Sequence, residues 1–65
     1  MRRAILDALR AKYEAEIAEA DATVNIYLTN SVGIGEHTNL LDEVKNWTKE
    51  LAEAEEGLAT LEENF

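Results

Sequence analysis

The chain has 65 residues and no cysteine, and it carries 14 acidic against 6 basic side chains, for a formal net charge of −8. A chain this short forms at most one domain, buries only about 60% of its unfolded surface, and here lacks the disulfides or Cys/His metal clusters that stabilise many small domains. Its negative charge repels phosphate groups, so direct binding to nucleic acid or to an anionic membrane is disfavoured.

The first half of the chain is predicted to form one long helix, from about residue 2 to residue 32. It is rich in Ala, Glu, Leu and Arg, which favour helices, and its larger apolar side chains recur three or four residues apart, as they do along one face of a helix. The stretch from Val24 to Leu28 is β-prone by composition, but it continues the same helical phase. The residues of this stripe are Leu6, Leu9, Tyr13, Ile17, Ala20, Val24 and Tyr27.

A second stripe, which consists only of alanines, lies on the opposite side of the same predicted helix. Alanine is the strongest helix former, so a solvated helix face explains the stripe. Small side chains also let two helix backbones approach closely, so the stripe is alternatively a second helix interface. Its members are Ala4, Ala8, Ala11, Ala15, Ala18 and Ala22.

A turn is predicted at about residues 33–37, where Gly33 and Gly35 lie close together. Gly33 suits the left-handed conformation that ends many helices, and Ile34 would supply the apolar contact that accompanies such an end. These three residues are therefore expected to reverse the direction of the chain.

The second helix is predicted from about residue 38 to residue 64, with the side chain of Thr38 or Asn39 accepting a hydrogen bond from a free backbone amide. Its apolar residues form an unbroken heptad repeat, which is typical of a helix that packs against a partner helix. Gly57 costs about 1 kcal/mol inside a helix, and because the repeat continues past it, we expect an exposed, tolerated position. The repeat consists of Leu40, Val44, Trp47, Leu51, Ala54, Leu58 and Leu61.

The short connection forces the two helices to run antiparallel, so residues whose numbers sum to about 68 should lie opposite each other. In that register Arg10 and Lys12 lie beside Glu55 and Glu56. We therefore predict an all-α fold, an antiparallel two-helix hairpin in which the two apolar stripes form the seam. Because one hairpin has little core, we expect it to self-associate, most simply as a homodimeric four-helix bundle.

No residue pattern in the sequence indicates catalysis or metal binding. A metal site needs three or four convergent ligands, whereas His37 is the only histidine and the Glu-x-x-His spacing of di-iron bundles is absent. Paired catalytic carboxylates need a concave, partly dry site. The acidic pairs of this sequence fall instead on solvated flanks, at Glu14/Glu16 and Glu55/Glu56. We expect no enzymatic activity, no cofactor and no metal.

The N-terminal residues contain arginines but no long apolar run. Asp7, Arg10 and Lys12 interrupt the apolar positions, so neither a signal peptide nor a membrane span is expected. This pattern predicts a protein of the cytoplasm.

Three segments of the chain carry distinctive motifs: MRRAILDAL at residues 1–9, YLTNSVGIGEH at residues 27–37 and LEENF at residues 61–65. With these motifs the chain resembles small helical-hairpin proteins encoded by T4-like phages of marine bacteria, a group without an established activity. The resemblance covers nearly the whole chain. It implies a phage origin and residence in the infected host cell, and it implies no functional residue.

Two hypotheses about function follow. The first is a non-enzymatic, self-associating interaction or structural accessory protein, with a second copy of itself as the main partner and another protein as a further candidate. The second is an acidic decoy, which imitates the phosphate charge of nucleic acid and so occupies a host DNA-binding protein. A scaffold needs an apolar or small-residue patch left uncovered, whereas a decoy needs a regular acidic surface.

Overall fold

The computed structural model describes residues 1–29 and 39–65. Within these ranges the chain forms two helices, α1 (Arg2–Thr29) and α2 (Leu40–Asn64), and no strand. The helices pack against each other and run antiparallel, because Arg10 near the start of α1 contacts Glu62 near the end of α2. The prediction of an all-helical, two-helix hairpin is confirmed.

Helix α1 begins at Arg2 and α2 ends at Asn64, close to the predicted positions. Helix α1 covers residues 2–29 of the predicted range 2–32, and α2 begins at Leu40, two residues after the predicted start. The predicted turn of Gly33, Ile34 and Gly35 lies outside the described residues, and so does His37.

The first turn of α2 lacks a side-chain cap from Asn39, one of the two residues predicted to supply it. Asn39 precedes the helix, and its backbone carbonyl accepts a hydrogen bond from the N–H of Glu43 at 2.9 Å, but its side chain makes no capping hydrogen bond. Its φ of −100° and ψ of 13° lie outside the β region that a side-chain cap requires. The side-chain cap predicted for Asn39 is therefore wrong, and Thr38, the other candidate, lies outside the described residues. Asp42 and Glu43 place negative charge near the positive end of the helix.

The core between the two helices is narrow. Among the described residues, the buried side chains are Ala20, Ala54 and Leu61, and none of the large side chains is completely buried. Two helices touch along one line, so each larger seam residue keeps one side in contact with solvent. The small alanines at positions 20 and 54 allow the helix backbones to approach closely.

The pairing register of the helices differs from the predicted one. Nη1 of Arg10 donates a hydrogen bond to Oε2 of Glu62 at 2.6 Å, so the predicted placement of Arg10 beside Glu55 and Glu56 is wrong. At the other end, the Tyr27 hydroxyl donates to Oε1 of Glu43 at 3.4 Å. The numbers of the residues in these two pairs sum to 72 and 70, whereas the predicted sum is about 68.

Gly57 lies in the interface between the helices, and the prediction that it is exposed is therefore wrong. A Cβ atom at this position would be 2.5 Å from Cε1 and 2.6 Å from Cζ of Tyr13. The missing side chain thus lets the tyrosine ring lie against the backbone of α2, in a helix that continues without a break through Gly57. Close packing of this kind constrains the register more strongly than surface ion pairs, which contribute about 0–1 kcal/mol each.

We predict that Gly57→Ala lowers the free energy of unfolding when Tyr13 is present and raises it when position 13 is alanine. With Tyr13 present, the new methyl group collides with the ring, and overpacking of about 1–3 kcal/mol outweighs the gain of about 1 kcal/mol in helix propensity. In a Tyr13→Ala background the collision is gone, so Gly57→Ala should stabilise the helix by up to about 1 kcal/mol. Urea denaturation of the four variants of this double-mutant cycle measures both effects. Stabilisation by Gly57→Ala in both backgrounds would contradict the contact.

We predict that the Arg10–Glu62 pair contributes modestly to stability and can be exchanged. Both side chains are nearly half exposed, so Arg10→Glu should lower the free energy of unfolding by about 1 kcal/mol or less. Adding Glu62→Arg should restore most of the loss because the pair re-forms with reversed charges. Lys12→Glu is the matched control, since it makes the same change of charge at a residue that has no ion pair among the described residues. Thermal unfolding followed by circular dichroism compares the variants.

Candidate functional site

The predicted seam residues lie along the line where α1 and α2 meet. Ala20, Ala54 and Leu61 are buried, and Leu9 is 38% exposed. The other members are half-buried: Leu6, Tyr13, Ile17, Val24, Tyr27, Leu40, Val44, Trp47, Leu51 and Leu58. The seam therefore holds the hairpin together and still leaves apolar surface at its borders.

The alanine stripe lies on the back of α1, away from α2. Ala4, Ala8, Ala11, Ala15, Ala18 and Ala22 are all exposed in the single chain. Exposed alanines are expected if the stripe is a solvated helix face. They are equally expected if the stripe is an interface with another chain. Both interpretations stay open.

Several large apolar side chains outside the core are exposed to solvent. At the open end of the hairpin, where the two termini lie, Met1 is 95%, Ile5 57% and Phe65 69% exposed. Near the other end, Ile26, Leu28 and Leu41 are also exposed. Apolar surface concentrated at the ends of such a small protein is typical of an interaction site.

Two hollows lie along one side of the helix pair, and together we call them the groove. The larger hollow, of about 400 Å³, is lined by Glu16, Glu19, Asn46, Trp47 and Glu50. The other, of about 330 Å³, is lined by Leu9, Tyr13, Glu53, Glu56, Gly57, Thr60, Leu61 and Phe65. On α2 the lining positions 46, 50, 53, 57 and 60 are alternately four and three residues apart, so the two hollows follow the same face of that helix.

The groove combines an apolar floor with an acidic border. Its apolar surface comes from the seam aromatic residues Tyr13 and Trp47 together with Leu9, Leu61 and Phe65. Its charged lining residues are all carboxylates, contributed by Glu16, Glu19, Glu50, Glu53 and Glu56. A third, smaller hollow of about 40 Å³, which contains Arg3, Asp7 and Arg10, has lining charges of both signs.

Two polar features that often mark a site are absent from the described residues. No group of three His, Cys, Asp or Glu side chains within residues 1–29 and 39–65 is placed to hold a metal ion. In the same ranges no buried side-chain nitrogen or oxygen lacks a hydrogen-bond partner. Neither of the two helices described is long and apolar enough to cross a membrane. The surfaces that remain are the apolar ends, the alanine stripe and the acidic groove.

The groove is not predicted from the sequence, in which the residues beside the seam have the pattern of solvated flanks. A signal for the groove is nevertheless present, since Asn46, Glu50, Glu53, Gly57 and Thr60 repeat with the same heptad spacing as the seam, one position away from it. The spacing by itself does not reveal a concave surface. Concavity depends on how closely α1 approaches α2 at Gly57.

No protein-family model, curated protein or solved structure matches this chain. The phage origin indicated by the sequence motifs therefore stays a prediction. The function of the chain has to be inferred from the shape, charge and exposed apolar surface of the hairpin.

Proposed function

We propose that the chain is a non-enzymatic interaction module that self-associates through its helices and acts as a structural or accessory protein. The observation that carries this proposal is that the sequence contains many hydrophobic residues but the hairpin buries few of them. Hydrophobic residues make up 46% of the sequence, yet among the described residues only Ala20, Ala54 and Leu61 are buried. Exposed apolar surface of this extent is stabilised when a partner covers it.

The dimensions of the hairpin support the same proposal. Its accessible surface is 5049 Å², whereas a compact monomer of this mass would have about 4,200 Å². Its radius of gyration is 14.9 Å, whereas a compact chain of this length would have about 11 Å. A single rod-like hairpin thus leaves surface exposed that a second copy can cover, and the homodimeric four-helix bundle is the simplest arrangement that does so.

Burial in an oligomer would add substantial free energy for a chain of this size. Covering one large apolar side chain that is now exposed contributes about 1.5–3 kcal/mol, and small domains have total stabilities of about 5–15 kcal/mol. Ile26, Leu28 and Leu41 are each more than half exposed. Covering even two of these side chains would therefore change the stability of the fold appreciably.

The acidic decoy is the second candidate function. In α2 the acidic residues other than Glu43 are exposed, namely Asp42, Glu50, Glu53, Glu55, Glu56, Glu62 and Glu63. A complex held by phosphate mimicry would dissociate as ionic strength rises, because salt screens exposed charges. A complex held by apolar contacts would persist, so elution in a salt series from infected-cell extract separates the two functions.

We predict that the chain is an oligomer at micromolar concentration. Sedimentation equilibrium should give a mass at least twice the 7.3 kDa of the single chain. The midpoint of thermal unfolding should also rise with protein concentration, because association stabilises only the folded chain. A single species with the mass of one chain, with full helicity by circular dichroism, would contradict the proposal.

We predict that the alanine stripe is part of the self-association surface. In an interface where backbones approach closely, Ala11→Glu with Ala15→Glu introduces bulk and unpaired charge, which should cost several kcal/mol and reduce the oligomer size. The matched control is Ala52→Glu with Ala59→Glu, which adds the same charge at exposed alanines of α2. Sedimentation equilibrium and thermal unfolding compare the two double variants. If both double variants change the oligomer mass and the unfolding temperature equally and only slightly, the stripe is a solvated helix face.

A further inference from the structure

We propose that the groove is a docking site for a cationic amphipathic helix of another protein. The proposal rests on the proposed function in one respect, that the chain is an interaction module. It adds a second binding surface, the groove, and the chemistry of the protein that binds there. It is supported by the shape of the groove, by its exposed apolar residues and by the sign of its charges.

The shape of the groove fits a helix. Its two hollows, of about 400 Å³ and about 330 Å³, follow one face of α2 from Asn46 to Phe65. At 1.5 Å per residue this distance is about 28 Å, which corresponds to a partner helix of about five turns. A third helix lying between two packed helices is a common mode of peptide recognition, in which apolar anchors at helical spacing enter the groove.

The apolar residues of the groove are placed to receive such anchors. Leu9 and Phe65, at the open end, are 38% and 69% exposed, respectively. Ile5 lies one turn before Leu9 on the same side of α1 and is 57% exposed. At the other end of the groove, half-buried Trp47 borders the larger hollow. A partner helix with apolar residues every three or four positions would cover these side chains.

The charge at the border of the groove selects a cationic partner. Both sides carry carboxylates, Glu16 and Glu19 on α1 and Glu50, Glu53 and Glu56 on α2. No lysine or arginine is among the described residues that line the groove. Lysines or arginines that flank the apolar face of a bound helix would meet these carboxylates on both sides, and complementary charge of this kind sets partner choice and association rate.

The same charges argue against a second copy of this chain as the occupant. Pairing the groove of one chain with the groove of another would bring two sets of lining carboxylates together, and like charges in an interface oppose binding. Self-association therefore uses other surfaces, and the groove stays open to a different protein.

The proposal is tested with a synthetic peptide of 18 residues, built from leucine and lysine so that leucines recur at helical spacing on one face. Trp47 is the only tryptophan of the chain and borders the groove, so its fluorescence reports occupancy directly. We expect a saturable change in that fluorescence, with a dissociation constant below about 100 µM. A leucine/glutamate peptide and a serine/lysine peptide should produce no saturable change over the same range, because one lacks the charge and the other the apolar face.

Two triple variants that remove equal charge separate the groove from the overall charge of the chain. The groove variant should bind the leucine/lysine peptide about tenfold more weakly, and the control variant less than about twofold more weakly. The groove variant is Glu16→Gln, Glu50→Gln and Glu53→Gln, and the control variant is Glu14→Gln, Glu55→Gln and Glu63→Gln, all at exposed positions. Phe65→Ser, which removes an exposed apolar side chain beyond the end of α2, should also weaken binding. Circular dichroism checks that each variant keeps its helices.

Three results would overturn the proposal: no response of Trp47 to the leucine/lysine peptide, equal effects of the two triple variants, or equal binding of the leucine/glutamate peptide. A higher oligomer mass for the groove variant than for the original chain would show that a second copy occupies the groove, which also overturns it. Sedimentation equilibrium without peptide tests the proposed self-association separately. A monomer that binds the peptide through the groove would refute self-association alone, and an oligomer that ignores the peptide would refute only the docking site.

Discussion

The contact between α1 and α2 follows a single line, and the rest of the structure depends on this constraint. Each helix can place only one narrow stripe against the other, so residues beside the stripe keep part of their surface exposed whatever their chemistry. The described core consequently contains two alanines and one leucine, Ala20, Ala54 and Leu61. Larger side chains such as Trp47 and Tyr27 contact the partner helix with one side only. A fold with so little interior is expected to need further surface contacts for its stability.

Within this line of contact, close packing decides which residues meet. The ring of Tyr13 lies against the backbone at Gly57, where a Cβ atom would come within 2.6 Å of Cζ. The Arg10–Glu62 pair forms in the register that this contact allows, and both of its side chains remain nearly half exposed. An exposed ion pair contributes too little to move two packed helices against each other. The ion pair is therefore a consequence of the register. The register itself is determined by how the side chains pack.

The proposed surfaces follow from the same geometry. Two helices leave a furrow beside their line of contact where they approach closely, and on one side of this hairpin the residues next to the seam border such a furrow. On one side these positions carry carboxylates, and they meet the exposed apolar residues Leu9 and Phe65 at the open end. Acidic and apolar groups on the same concave surface suit a partner that is both basic and apolar. The back of α1, in contrast, carries the alanine stripe, and small side chains such as Ala11 and Ala15 leave room for a closely packed neighbour.

The amino-acid sequence by itself determined the helical class, the approximate positions of the two helices and the residues that form the seam. These properties depend on helix propensity and on the spacing of apolar residues, which act within a few turns of one helix. Only the tertiary structure decided the register, the position of Gly57 in the interface and the existence of the groove. They depend on contacts between residues far apart in the chain, such as Tyr13 with Gly57 and Arg10 with Glu62. A shift of a few residues along the seam preserves the apolar pattern of each helix, so local periodicity cannot select one register, whereas the fit of a tyrosine ring over a glycine can.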